Sequence, residues 1–174
     1  MNDLFPPILR KLNIVQRDKG AFAALLGEAH QYLVTGILMR LGFLVSVITV
    51  RAGTYDIIIP AFEDFVRSPE KTVLLRAQVK TIKKSLRFIG GTRAGVDRIY
   101  IPGAKEYKYT AAHNDLIIGI DVNTLDLYFL PTQFIYRWGK SVSKNKLELL
   151  RNNVDILLNW NEDFLVRLKG MLPK

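Results

Sequence analysis

The chain has no cysteine among its 174 residues. That absence excludes disulfides, thiolate nucleophiles and cysteine-held zinc, and it fits a reducing compartment. His30 and His113 are the only histidines, too few and too far apart for a histidine zinc centre. The glycine-rich stretch Gly90-Gly91…Gly95 lacks the G-K-[ST] ending of a phosphate-binding loop. Ser85 and Ser141 lack the G-x-S-x-G setting of a nucleophile elbow. No apolar run reaches membrane length: residues 31–50 are interrupted by Arg40 and Gly42, then turn β-branched in V-S-V-I-T-V. They predict a buried helix, a turn and a strand. The start M-N-D-L-F-P-P has no signal-peptide core, so a cytoplasmic protein is expected. Internal repeats and low-complexity tracts are also missing.

What is present is a globular composition, 49% hydrophobic and 24% charged, in a length that suits one domain over residues 1–174. Within it we expect an arm at 1–20, a core at 21–135 and a helical part at 136–174. The net charge is +9, and it is concentrated. Between Arg67 and Lys108 eleven Lys/Arg face three acids, so 11 − 3 = +8 sits in one tract. Such a tract suits a polyanion, most simply nucleic acid, although a merely soluble basic face has the same composition. Lys83, Lys84, Arg87, Arg93, Arg98, Lys105 and Lys108 are the candidate phosphate contacts. Tyr100, Tyr107 and Tyr109 could stack bases, but tyrosines so spaced more often edge a core.

Periodicity predicts a helix from Ala21 to about Leu41, with Leu25, Ala29, Tyr32, Leu33, Gly36 and Ile37 as its apolar residues and Gly42 as its stop. Strands are expected at Phe43–Val50 and Tyr55–Pro60 as a hairpin, at 72–80, and at Lys83–Ile89, with a short piece at 98–102. Two more follow at Leu116–Val122 and Leu125–Leu130, joined through Asn123-Thr124. Pro131 opens a short helix to about Trp138. Helices at Lys144–Leu150 and about Val154–Leu168 complete an α/β or α+β order.

In strand 72–80, alternation places Val73, Leu75, Ala77 and Val79 on a core side and Leu74, Arg76, Gln78 and Lys80 on the other. An ordinary half-exposed strand would show the same pattern. If this strand pairs with T-Y-D-I-I-I-P, then Asp56, an amide oxygen and an ammonium converge, as metal-assisted phosphodiester hydrolysis requires. Glu28 sits in the apolar stretch A-F-A-A-L-L-G-E-A-H-Q-Y-L, where a carboxylate is costly unless paired, hydrated or metal-linked. A narrow exposed helix face shared with Gln31 and Thr35 would also accommodate it. Gly27 beside it would let a backbone or a substrate come close.

The succession G-E-A-H-Q-Y-L (Glu28), T-Y-D-I-I-I-P (Asp56) and A-Q-V-K (Gln78, Lys80) resembles the PD-(D/E)XK nuclease superfamily, over roughly residues 21–135. That superfamily includes restriction enzymes, Holliday-junction resolvases and some homing endonucleases. The resemblance implies a restriction-endonuclease-like mixed central sheet flanked by helices. It implies Mg²⁺-dependent DNA cleavage, with Mn²⁺ as a substitute, leaving 5′-phosphates. Asp56 would be the principal metal ligand, joined by the Gln78 amide oxygen and the Val79 carbonyl. Lys80 would orient the attacking water and stabilise the charged transition state. Glu28 would hold a metal-bound water or a second ion. Tyr55 stands where many members have proline, and Gln78 replaces an acid. A neutral amide weakens cation binding, so a non-catalytic DNA-binding module is the rival expectation, with an RNA-directed nuclease as another. The expected partner is duplex or branched DNA. A homodimer is expected as well, since two strands need two sites. The C-terminal helix with Trp160 and Phe164 is either its surface or plain core packing.

Overall fold

The computed structural model describes residues 11–49, 54–61, 72–90 and 107–173. Arg93, Arg98, Lys105, Gly91, Gly95, Tyr100 and the strand expected at 98–102 lie outside the described residues. Helix α1 runs Lys19–Arg40, starting two residues before the expected Ala21. Asp18 caps its start by accepting from Gly20 N and Ala21 N. Gly42, at φ +93°, provides the left-handed residue that ends it.

A five-stranded sheet forms the centre, in the order β1 (Ser46–Val47), β2 (Ile57–Pro60), β3 (Leu74–Ile82), β7 (Leu116–Asp121), β8 (Leu127–Pro131). β2 pairs antiparallel with both β1 and β3; β3 pairs parallel with β7, and β7 antiparallel with β8. This is a mixed α/β sheet, as expected. β7 and β8 are buried at every position, which explains the continuous apolar run L-I-I-G-I. Gly119 in β7 stands opposite Lys80, and a methyl group there would overlap Ile82 Cδ1. The small residue lets Ile82 and Leu86 close over the sheet.

The stretch 83–90 is not one strand. Lys83-Lys84 form a bend, after which β4 (Ser85–Arg87) pairs with β9 (Ser141–Ser143) and β5 (Ile89–Gly90) pairs with β6 (Tyr107–Lys108). β1 is shorter than the expected Phe43–Val50, and Val50 lies outside the described residues. Thr132–Arg137 and Lys144–Leu150 are 3-10 helices.

Two expectations are corrected. The helix expected at Val154–Leu168 is broken into α2 (Asp155–Leu158) and α3 (Glu162–Met171). Asn159 and Asn161 interrupt it, because each amide bonds locally to backbone: Asn159 Nδ2 donates to Asp155 O, and Asn161 Oδ1 accepts from Phe164 N. Trp160 and Phe164 are partly buried against the core, as the packing alternative required. The second correction concerns α1. Its buried residues are His30, Val34, Thr35 and Leu38, whereas Leu25, Tyr32 and Leu33 are exposed. The helix is apolar on nearly all sides, so spacing alone does not select the inner face. Hydrogen bonds from its polar residues accompany the choice. In β3, Val73 at the entrance is exposed rather than core, and Gln78 is buried.

Candidate active site

β2 and β3 bring Asp56 and the Gln78-Val79-Lys80 segment together through their register. Ile57 faces Ala77, and Asp56 N donates to Ala77 O at 2.9 Å. Asp56 therefore stands one position before β2, beside the middle of β3. Its Oδ2 accepts from Val79 N at 2.8 Å and from Gln78 Nε2. Gln78 Nε2 also lies 3.4 Å from Val79 O. Burial pushes the pKa of Asp56 up; the Val79 N–H and the Lys80 ammonium pull it back without cancelling the rise.

Helix α1 supplies the second wall. An open cleft of about 560 Å³ lies between α1 and the first strands, and Glu28, Gln31, Asp56, Gln78 and Val79 all line it. Glu28 is exposed there among exposed apolar neighbours; Gln31 is half-buried, and Thr35, expected on the same exposed face, is buried. Gly27 lines the same cleft with open space beside it, so it accommodates no backbone neighbour. Polar contacts tie the helix to β3 and to the residue that precedes β2. Gln31 Nε2 donates to Asp56 O at 3.2 Å, and Thr35 Oγ1 returns to Gln31 O at 2.9 Å. His30 Nδ1 meets Thr81 Oγ1 at 2.7 Å, and burial lowers the His30 pKa, which keeps the ring neutral. His30 is thus a satisfied core residue behind the site.

Lys80 is not on the cleft lining. Its Nζ lies over the Tyr109 ring, 5.0 Å from the centroid, close enough to Asp56 to act on its charge. Tyr109 is buried, and burial pushes its phenol up, so the ring stays neutral. It packs edge-on against Tyr107 at 5.7 Å, and its N–H donates to Phe88 O. The turn after it is anchored to the approach of Asp56: Thr54 Oγ1 donates to His113 O at 2.6 Å, and Asn114 Nδ2 to Thr54 O at 3.0 Å. Arg76 grips the same turn through a bidentate pair with Asp115, its Nε and NH2 at 3.0 and 2.9 Å from the two carboxylate oxygens. Burial alone would push Asp115 up, but the Arg76 hydrogen bonds and charge hold it below the usual carboxylate range.

Gln31, Thr54 and Tyr109 are the residues that sequence reasoning missed as parts of this assembly. Tyr109 left a trace as one of the three tyrosines of the basic tract, and Gln31 as a neighbour of Glu28 on the helix; Thr54 left none. Of the candidate phosphate contacts, Lys83, Lys84 and Arg87 are exposed. Lys108 is half-buried, with Nζ donating to Trp138 O at 2.6 Å. Among the described residues no three His, Cys, Asp or Glu cluster as a metal cage. The donors available at the cleft are oxygens: one buried carboxylate, one amide, one carbonyl and the Glu28 carboxylate on the wall. That set fits a hard cation that keeps much of its water, such as Mg²⁺, and not zinc. No helix among the described residues is long and apolar enough to cross a membrane.

No protein-family profile and no curated protein matches the chain. Among solved structures, that of a bacterial homing endonuclease, I-Ssp6803I, is similar with a TM-score of 0.53 at 15% sequence identity, over 69% of this chain and 76% of that chain. At such identity the likeness is one of fold: a mixed α/β sheet of the kind found in a homing endonuclease.

Proposed function

We propose that the protein is a metal-dependent DNA endonuclease. The observation that carries this reading is the convergence on one cleft of the Asp56 carboxylate, the Gln78 amide, the Val79 carbonyl and Glu28, with the Lys80 ammonium beside them. The PD-(D/E)XK resemblance and the fold shared with a homing endonuclease support it. Asp56, Gln78 and the Val79 carbonyl would hold Mg²⁺, or Mn²⁺ in its place, with Glu28 reaching it through water. Bound there, the ion would supply Lewis acidity toward the phosphate and lower the pKa of an attacking water.

The chain's own groups do the rest. The Asp56 carboxylate must be ionised to serve, and the Lys80 ammonium favours that ionised form. Lys80 directs its N–H donors toward the phosphate oxygens, where negative charge grows in the transition state. Gln78 presents its Nε2 end to Asp56; offering Oε1 to a cation instead takes a half-turn of the amide, a low-cost rotation. Lys83 and Lys84 would hold the DNA backbone near the cut. Two copies of the chain would supply the two sites that a double-strand break needs.

The test is incubation of purified protein with plasmid and four-way-junction DNA, with Mg²⁺ or Mn²⁺ and in EDTA. Cleavage that depends on the ion and leaves ends a DNA ligase can reseal is expected. Salt-sensitive binding without cleavage under any divalent ion would instead favour a non-catalytic DNA-binding module. The neutral, hydrogen-bonded Gln78 in an acid's place is the observation on that side. Cleavage of structured RNA in preference to DNA would replace the substrate class.

A further inference from the structure

Strands β4 and β9 come from distant parts of the chain and form a short antiparallel ribbon of their own. Their residues alternate: Leu86 and Val142 are buried in the core, while Arg87, Ser141 and Ser143 point outward and Ser85 is half-exposed. The register pairs Arg87 with Ser141 and Ser85 with Ser143, so the outer face is three hydroxyls and a guanidinium. The flanks are basic. Residues 81–90 and 139–147 contain Lys83, Lys84, Arg87, Lys140, Lys144 and Lys146 and not one Asp or Glu. Lys144 is matched by Asp121 at 2.8 Å, and Lys83, Lys84, Arg87 and Lys140 are exposed beside the ribbon. The linear sequence shows only half of this, because Lys140, Lys144 and Lys146 lie far outside the basic tract at 67–108.

We propose that the β4–β9 ribbon enters the major groove of duplex DNA next to the cleavage site, with Arg87 and Ser141 at base edges and Lys84 and Lys140 on the flanking phosphates. A two-stranded ribbon fits the B-DNA major groove, roughly 12 Å wide. Arginine pairs with the O6 and N7 acceptors of guanine, and serine bonds to either partner. The deep, narrow major groove of RNA excludes such an element, so the surface selects DNA. Lys80 and Arg87 are seven residues apart in the chain. At ~3.3 Å per residue the reach is at most ~23 Å, so the bases read lie within about seven base pairs of the cut. The inference rests on the DNA reading above, but its test needs no cleavage.

The experiment measures binding of the full chain to a labelled random-sequence DNA duplex in EDTA, as a function of KCl. It is paired with selection of bound sequences from a randomised duplex pool. The exposed positions allow substitution, and thermal melts confirm that each variant is folded. The double variant Lys84→Ala/Lys140→Ala should reduce the salt slope by about two, at ~0.9 per phosphate contact. Arg87→Ala should flatten the preference at one or two adjacent base pairs, a loss of about tenfold in discrimination, while affinity for unselected duplex changes little. An unchanged salt slope in the double variant would overturn the proposal. So would an unaltered base preference in Arg87→Ala, or RNA duplex binding as tight as DNA. Altered binding in these variants alongside a wild type that never cuts would uphold the ribbon and sink the nuclease reading instead.

Discussion

Asp56 carries opposing influences within one side chain. Burial disfavours its charge, and a backbone N–H and the Lys80 ammonium favour it; the net pKa is raised. A carboxyl whose folded pKa exceeds its unfolded value weakens the fold once it ionises. Its contribution to stability is therefore complete below the ordinary value of 3.8 and lost as pH rises through the elevated folded pKa. Asp56→Asn should accordingly melt at a higher temperature than the parent at pH 7, with the difference vanishing below pH 3.8, while holding no divalent ion. Equal melting curves at pH 7 would show that the charge is not destabilising. The same residue predicts an acid limb of cleavage centred above 3.8. Lys80 lowers the Asp56 pKa, so Lys80→Ala moves an Asp56 titration followed by carboxyl NMR further upward. Tyr109 meets that lysine with its ring face. Tyr109→Phe should keep kcat within about twofold, whereas Tyr109→Leu should lower it about tenfold, since a desolvated cation–π contact is worth up to ~2 kcal/mol. The leucine variant should also shift the acid limb upward, because the ammonium is no longer held by Asp56. A lowered melting temperature with an unmoved acid limb would reduce Tyr109 to packing. Asp56, Gln78 and Lys80 were legible as a group because a two-residue strand period and one strand pairing suffice to bring them together. Tyr109 was not, because its contact with Lys80 depends on how β6 docks on β5.

Among the elements, those with a strong pattern emerge as expected: the long α1, the β3 strand, and the fully buried β7 and β8. Where signals were weak the outcome differed for physical reasons. α1 has apolar residues all round, so its inner face follows from His30–Thr81 and Gln31–Asp56 hydrogen bonds that periodicity cannot contain. The C-terminal helix breaks at Asn159-Trp160-Asn161 because asparagine amides compete for backbone. β9 is three residues of S-V-S, too short to register as a strand without its partner β4. Ile82 closes directly over Gly119, the residue across from Lys80. Gly119→Ala forces Ile82 aside, so it should destabilise the fold by about 1–3 kcal/mol in urea denaturation. It should also lower cleavage, by displacing the strand that carries Lys80. A loss below ~0.5 kcal/mol would mean that Ile82 relaxes freely and that the close approach is not structural.

At the scale of the molecule, charge and fold point the same way. Six Lys/Arg and no Asp or Glu are gathered near one end of β3 by two segments, 81–90 and 139–147, that meet only in the folded chain. The carboxylate cleft lies along the same strand, between it and α1. On the proposed reading the basic surface would gather the polyanion, and the carboxylate cleft along the same strand would offer a place where a cation and a phosphate can meet. The most direct measurement of this account is plasmid cleavage by the parent, Asp56→Ala and Lys80→Ala side by side in Mg²⁺, with DNA affinity measured for each. The account predicts cutting by the parent and a loss of at least about a thousandfold in both variants, while both still bind DNA. Variants that cut as fast as the parent would place the chemistry elsewhere and contradict it.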